Sequence, residues 1–108
     1  MGFRRKNILA KIRQTIGGNV TQVASIPQDV CEGQMTFNNH GATYLVVAVK
    51  GQAPKAKDGY IYLAPNDSYT EEGIIPGEVS AISLNASDVA TDGGVLTTNI
   101  SYSLKGDQ

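Results

Sequence analysis

Tryptophan is absent from this chain of 108 residues, histidine and cysteine each occur once, and phenylalanine occurs twice. A single thiol, Cys31, closes no disulfide within the chain, so no oxidising compartment is implied. As a small apolar side chain it is expected to be buried. His40 is the lone imidazole and sits in a turn composition, Asn38-Asn39-His40-Gly41. Catalytic histidines work beside a nucleophile or acid, and no such constellation surrounds this one. One His and one Cys cannot complete a zinc site. Asp67, Glu71 and Glu72 are close in sequence but lack the spacing of a calcium loop. Neither a phosphate-binding loop nor a dinucleotide fingerprint occurs. The chain also lacks a run of about 20 apolar residues, as a membrane span needs. Lys11 and Arg13 interrupt the only stretch resembling a secretory leader. These absences argue for a protein that is not an enzyme, holds no metal or cofactor, and does not span a membrane.

Charge is distributed unevenly. The formal net charge is −1, yet Arg4, Arg5, Lys6, Lys11 and Arg13 precede the first acid, Asp29. Residues before Asp29 therefore carry +5 and the remainder −6. Oppositely charged parts attract each other within an assembly or face different partners.

The chain is long enough for one domain with a modest core. Ile8, Leu9, Ile12 and Ile16 fall at helical spacing, and Gly17-Gly18 supplies a stop, so residues 3–16 read as a short amphipathic helix. The expected organisation is a basic helical arm over residues 1–18 and a β domain over residues 19–108. After Asn19 the period becomes two. Strands are expected over residues 20–26, 34–37, 43–50, 60–63, 78–84, 89–91 and 95–104. Residues 28–33, 51–59 and 64–73 read as turns or loops, Pro76-Gly77 as a type II turn, and Asp92-Gly93-Gly94 as a hairpin-type turn. The apolar run in Thr43–Lys50 implies burial on both faces. About seven short strands with regular turn signals indicate a mainly β fold, an antiparallel sandwich of jelly-roll or immunoglobulin type.

The arm is the candidate partner-binding element, through Phe3, Arg4, Arg5, Lys6, Ile8, Leu9, Lys11, Ile12, Arg13 and Ile16. Its apolar stripe fits a partner protein. Its cations also fit nucleic acid phosphates or an anionic membrane surface. A sole aromatic, Phe3, gives little for stacking on bases.

Residues 60–104 carry a recognisable order of signals: Tyr60-Ile61-Tyr62-Leu63-Ala64, a polar stretch to Gly73, then Ile74-Ile75-Pro76-Gly77-Glu78. An alternating strand to Leu84, Asp88-Val89, Gly93-Gly94 and a final β segment through Tyr102 follow. This order resembles small β-sandwich virion proteins of bacteriophages, used as capsid-decoration, vertex or tail-attached subunits. The resemblance implies a homo-oligomer located in the virion, in contact with capsid, portal or tail proteins, with no catalytic residues; the arm lies outside the pattern and, from its charge and apolar stripe, is the expected anchor. A carbohydrate- or receptor-binding sandwich is the alternative, with Tyr60, Tyr62 and Tyr69 available to stack on sugar rings.

Overall fold

The computed structural model describes residues 5–49 and 61–105, and the side chains of residues 5–7 fall outside that description. Eight strands follow in chain order: β1 (Arg5–Ile16), β2 (Thr21–Ile26), β3 (Val30–Asn39), β4 (Tyr44–Ala48), β5 (Ile61–Leu63), β6 (Ser68–Glu72), β7 (Gly77–Leu84) and β8 (Gly94–Lys105). They form two four-stranded sheets, ordered β1-β8-β3-β6 and β2-β7-β4-β5. All neighbours are antiparallel. The pairing is nested: β1 with β8, β2 with β7, β3 with β6, β4 with β5. A long ribbon whose tip is the β4–β5 connection has thus been rolled into two layers. That is jelly-roll connectivity, not the four-plus-three arrangement of an immunoglobulin domain.

The core lies between the sheets. Phe37, Met35, Leu96, Ile100 and Ile16 come from the first sheet, and Leu45, Val47, Leu63, Val79 and Ala81 from the second. Each comes from the inward set of an alternating strand, as Val79 and Ala81 do in β7. β2 departs from alternation. Its register shifts between Gln22 and Ala24, so Val23 and Ile26 are both buried although three residues apart. A bulge of this kind turns one extra residue toward the core. β4 is buried on both faces, with Val46 and Val47 each 0% exposed, as its unbroken apolar run requires.

The N-terminal segment is a strand and not a helix. β1 pairs with β8 from Arg5↔Lys105 to Ile16↔Gly94. The physical reason is that a spacing of four residues is even: Ile8, Ile12 and Ile16 share a face in a helix and equally in a strand. Pairing with β8 decides between the two. Ala10 and Gln14 join the isoleucines on the inner face, while Leu9, Lys11, Arg13 and Thr15 are exposed. Three β-branched isoleucines and Thr15 further favour the extended form. Gly17-Gly18 ends a strand: Ser83 N–H donates to the Gly17 carbonyl at 2.9 Å, and the Asp92 carboxylate accepts the Gly18 N–H at 3.0 Å. A Cβ at Gly17 would lie 2.8 Å from the Asp92 Oδ1.

Other differences follow from tertiary pairing. Residues 30–33 belong to β3, and the polar segment Ser68–Glu72 is β6. Both are half-exposed strands whose polar composition resembles a loop. The brief strand expected over residues 89–91 is reduced to one bridge, Leu84↔Ala90. Asp92-Gly93-Gly94, with Gly93 at φ 105°, passes the chain between sheets and closes no hairpin. Gly77 has positive φ, 126°, but it is already the first residue of β7, and Pro76-Gly77 leads the chain from one sheet to the other. Cys31 is an exposed free thiol on β3. The segment 51–59, read as a solvated loop, lies outside the described residues.

Candidate interaction surfaces

Of the residues proposed to bind a partner, Phe3 and Arg4 lie outside the described residues, as do the side chains of Arg5 and Lys6. The others divide by strand parity. Ile16 is fully buried, and Ile12 packs half-buried against the same core. Ile8 shares their face. These side chains hold β1 to the sandwich. Leu9, Lys11 and Arg13 face outward, and Leu9 is 79% exposed.

β1 is the terminal strand of its sheet. One edge of its backbone bonds to β8, and the other has no strand beside it among the described residues. A terminal strand offers a row of N–H and C=O groups to any extended segment that approaches it. Leu9, Lys11, Gln34, Thr36, Asn99 and Ser101 surround a shallow groove of about 410 Å³ on the outer face. Cross-strand rows run through it, Lys11–Asn99–Thr36–Thr70 and Leu9–Ser101–Gln34–Glu72. The hydroxyls of Thr36 and Thr70 are hydrogen-bonded at 3.0 Å. This face is polar and mostly uncharged in the middle. Charges at its sides are Lys11 and Arg13 on β1 and Glu72 on β6, whereas Glu71, opposite the core residue Met35, belongs to the inner set of β6. Part of the charge split visible along the chain, Lys11 and Arg13 against Glu71 and Glu72, thus lies on the two edge strands of one sheet.

β6 is the other edge. Tyr69 there is 44% exposed. The sequence pattern missed this strand, because Ser68-Tyr69-Thr70-Glu71-Glu72 lacks apolar alternation. The available signal was Tyr69-Thr70, two residues that favour strands.

The second sheet presents a different outer face. Tyr44 and Tyr62 stack there with centroids 5.6 Å apart and planes at 30°. Val46 is paired with Tyr62 on one side and Ile82 on the other and is wholly buried. The tyrosines considered for sugar stacking are thus dispersed. Tyr62 uses a ring face on Tyr44, Tyr69 belongs to the opposite sheet, and Tyr60 lies outside the described residues.

His40 is exposed, and its backbone N–H donates to the Val95 carbonyl at 2.9 Å. The Asp67 carboxylate accepts the Ala64 N–H at 3.1 Å, closing a turn. Among the described residues, no three His, Cys, Asp or Glu side chains are grouped to hold a metal ion, and no helix is long and apolar enough to cross a membrane.

Solved structures with a similar fold include two of note. One is a chain from Bacillus endospore appendages, described as a family of disulfide-linked pili, at a TM-score of 0.56 and 13% identity, covering 96% of this chain and 92% of that one. The other is a chain of the cyanophage Pam1 capsid asymmetric unit, at a TM-score of 0.53 and 12% identity, covering 96% and 89%. At these identities the likeness is one of fold. No family model matches the chain, and no curated protein matches it.

Proposed function

We propose that this protein is a structural subunit of a bacteriophage virion, assembling as a homo-oligomer on the capsid, vertex or tail. The observation that carries this reading is the jelly-roll likeness over nearly the whole chain to a phage capsid chain. The likeness to a pilus subunit points the same way, since that protein too belongs to an assembly. The order of motifs in residues 60–104 supports it independently. So does the division of the molecule into a closed core and terminal strands, β1 and β6 of the first sheet among them, with no further strand beside them among the described residues, because exposed edges serve a protein whose work is to be joined to others.

The helical anchor is replaced in this reading by β1, which presents Leu9, Lys11 and Arg13 to a neighbouring subunit. No catalytic role is assigned to any residue. Two measurements test the reading. Light scattering on the purified full chain is expected to give a mass several times that of the monomer. Mass spectrometry of purified phage particles encoding this chain is expected to find it in many copies per particle. A monomer at every concentration, together with absence from the particle, would refute it.

A further inference from the structure

We propose that copies of this chain join edge to edge, β1 of one copy against β6 of the next, so that the first sheet continues antiparallel from subunit to subunit. This rests on the reading of the protein as an assembly subunit and specifies the contact.

Three features converge on that pairing. The first is parity. The sheet has four strands in the order β1-β8-β3-β6, all antiparallel. Its two edges therefore run in opposite directions. A copy shifted sideways, without being turned over, brings its β1 antiparallel to β6, and the alternation of the sheet is preserved across the junction.

The second is charge. Lys11 and Arg13 are exposed on the outer face at one edge, and at the other β6 ends in two acids, Glu72 on that same face and Glu71 on the inner one. Symmetric alternatives lack this complementarity. A twofold β1–β1 contact would set Lys11 and Arg13 of one copy among those of the other. A β6–β6 contact would do the same with the glutamates. Like charges placed across adjacent strands oppose pairing. Only the unlike edges attract.

The third is register. Continuing the row Lys11–Asn99–Thr36–Thr70 sets the next copy's Lys11 opposite Thr70. The five residues of β6 then lie opposite Leu9–Arg13. Tyr69, now 44% exposed, meets the next copy's Ile12, an aromatic–β-branched pair of the kind that supports sheets. Glu72 lies diagonally from the next copy's Lys11 on the same face, within reach of a long side chain. Arg13 falls opposite Ser68. Joining unlike patches is a heterologous contact, which closes into a ring or runs on as a filament according to the rotation per subunit.

Charge reversal tests this at residues that are not themselves buried. Lys11→Glu with Arg13→Glu makes both edges acidic, and Glu71→Lys with Glu72→Lys makes both basic. Each double variant, with its strand content confirmed by circular dichroism, is expected to be monomeric where the wild-type chain is assembled. An equimolar mixture of the two regains unlike edges at every junction and is expected to assemble, with on the order of tenfold tighter association than either variant alone. Double variants that keep the wild-type mass, or a mixture that stays monomeric, would overturn the edge contact while leaving the assembly reading intact. A wild-type chain monomeric at all concentrations would overturn the edge contact, and its absence from the particle as well would overturn the assembly reading.

Discussion

The side-chain amide of Asn39, 1% exposed at the end of β3, donates to the carbonyl of Leu63 on β5, 3.0 Å away. Asn39 belongs to one sheet and Leu63 to the other, so this bond crosses between the two layers. The same amide donates to the Thr43 carbonyl at 2.8 Å, and its oxygen accepts the Gly41 N–H at 3.0 Å. The backbone of Asn39 adds two more bonds, donating to Asp67 at 2.9 Å and accepting from Asn66 at 3.0 Å. One residue thus ties β3 to the turn that follows it, to β5 and to the start of β6.

Asn39→Ala is expected to cost about 2–4 kcal/mol, because it strands buried carbonyls and an N–H that no longer reach a partner. Asn39→Asp keeps an acceptor for Gly41 but sets a carboxylate against two carbonyls, and is expected to be at least as damaging. Urea unfolding of the two variants checks this. A midpoint unchanged in Asn39→Ala would show that the clamp contributes little.

Strand parity in β1 is tested by two residues of opposite orientation. Ile16→Ala removes a fully buried side chain and is expected to cost about 2–5 kcal/mol. Leu9→Ala removes an exposed one and is expected to shift stability by no more than about 0.5 kcal/mol. Chemical denaturation of both variants gives the comparison. A helix docked by its Ile/Leu stripe would bury Leu9 beside Ile8 and Ile12, and the two losses would then be comparable.

These residues also show what was legible in the chain. The two-residue period of β7, the apolar run of β4 and the turn glycines are local signals, and they locate their elements. β1 is ambiguous because Ile8, Ile12 and Ile16 satisfy two periods at once, and only pairing with β8 settles which applies. β6 and the first residues of β3 show no apolar alternation, because a half-exposed strand needs none to be held by its neighbour, and the signal β6 offers is confined to Tyr69-Thr70. Asn39 reads as a turn residue, since nothing local reveals that its amide will be buried between sheets. For the candidate surface, the cations were legible as a cluster. Their opposition to Glu71 and Glu72 depends on the strand order.

Cys31 offers a simple check on β3. The thiol is exposed, so it is expected to react with a thiol reagent in the native protein to one equivalent, without denaturant and about as fast as in the unfolded chain. Protection lifted only by urea would place it in the core, as its residue type alone suggests.

Gly33 is held by packing and not by backbone conformation. A Cβ there would overlap the backbone carbonyl of Ser101 and the Tyr102 Cβ, and would sit 2.6 Å from the Tyr102 Cα. Gly33 pairs with Tyr102 across β3 and β8, and its carbonyl accepts the Ile74 N–H at 3.3 Å. Neither side of the residue can give way freely. Gly33→Ala is therefore expected to destabilise by about 1–3 kcal/mol, as overpacking does elsewhere. Gly73, by contrast, has nothing within 4 Å of an added Cβ but adopts φ +71°. Its alanine variant bears only the left-handed backbone cost of about 1–2 kcal/mol. Asn tolerates that region better than Ala. Gly73→Asn should thus recover part of the loss, whereas Gly33→Asn should recover none. Thermal unfolding of the four variants separates the two causes, and equal rescue by Asn at both positions would contradict the steric account of Gly33.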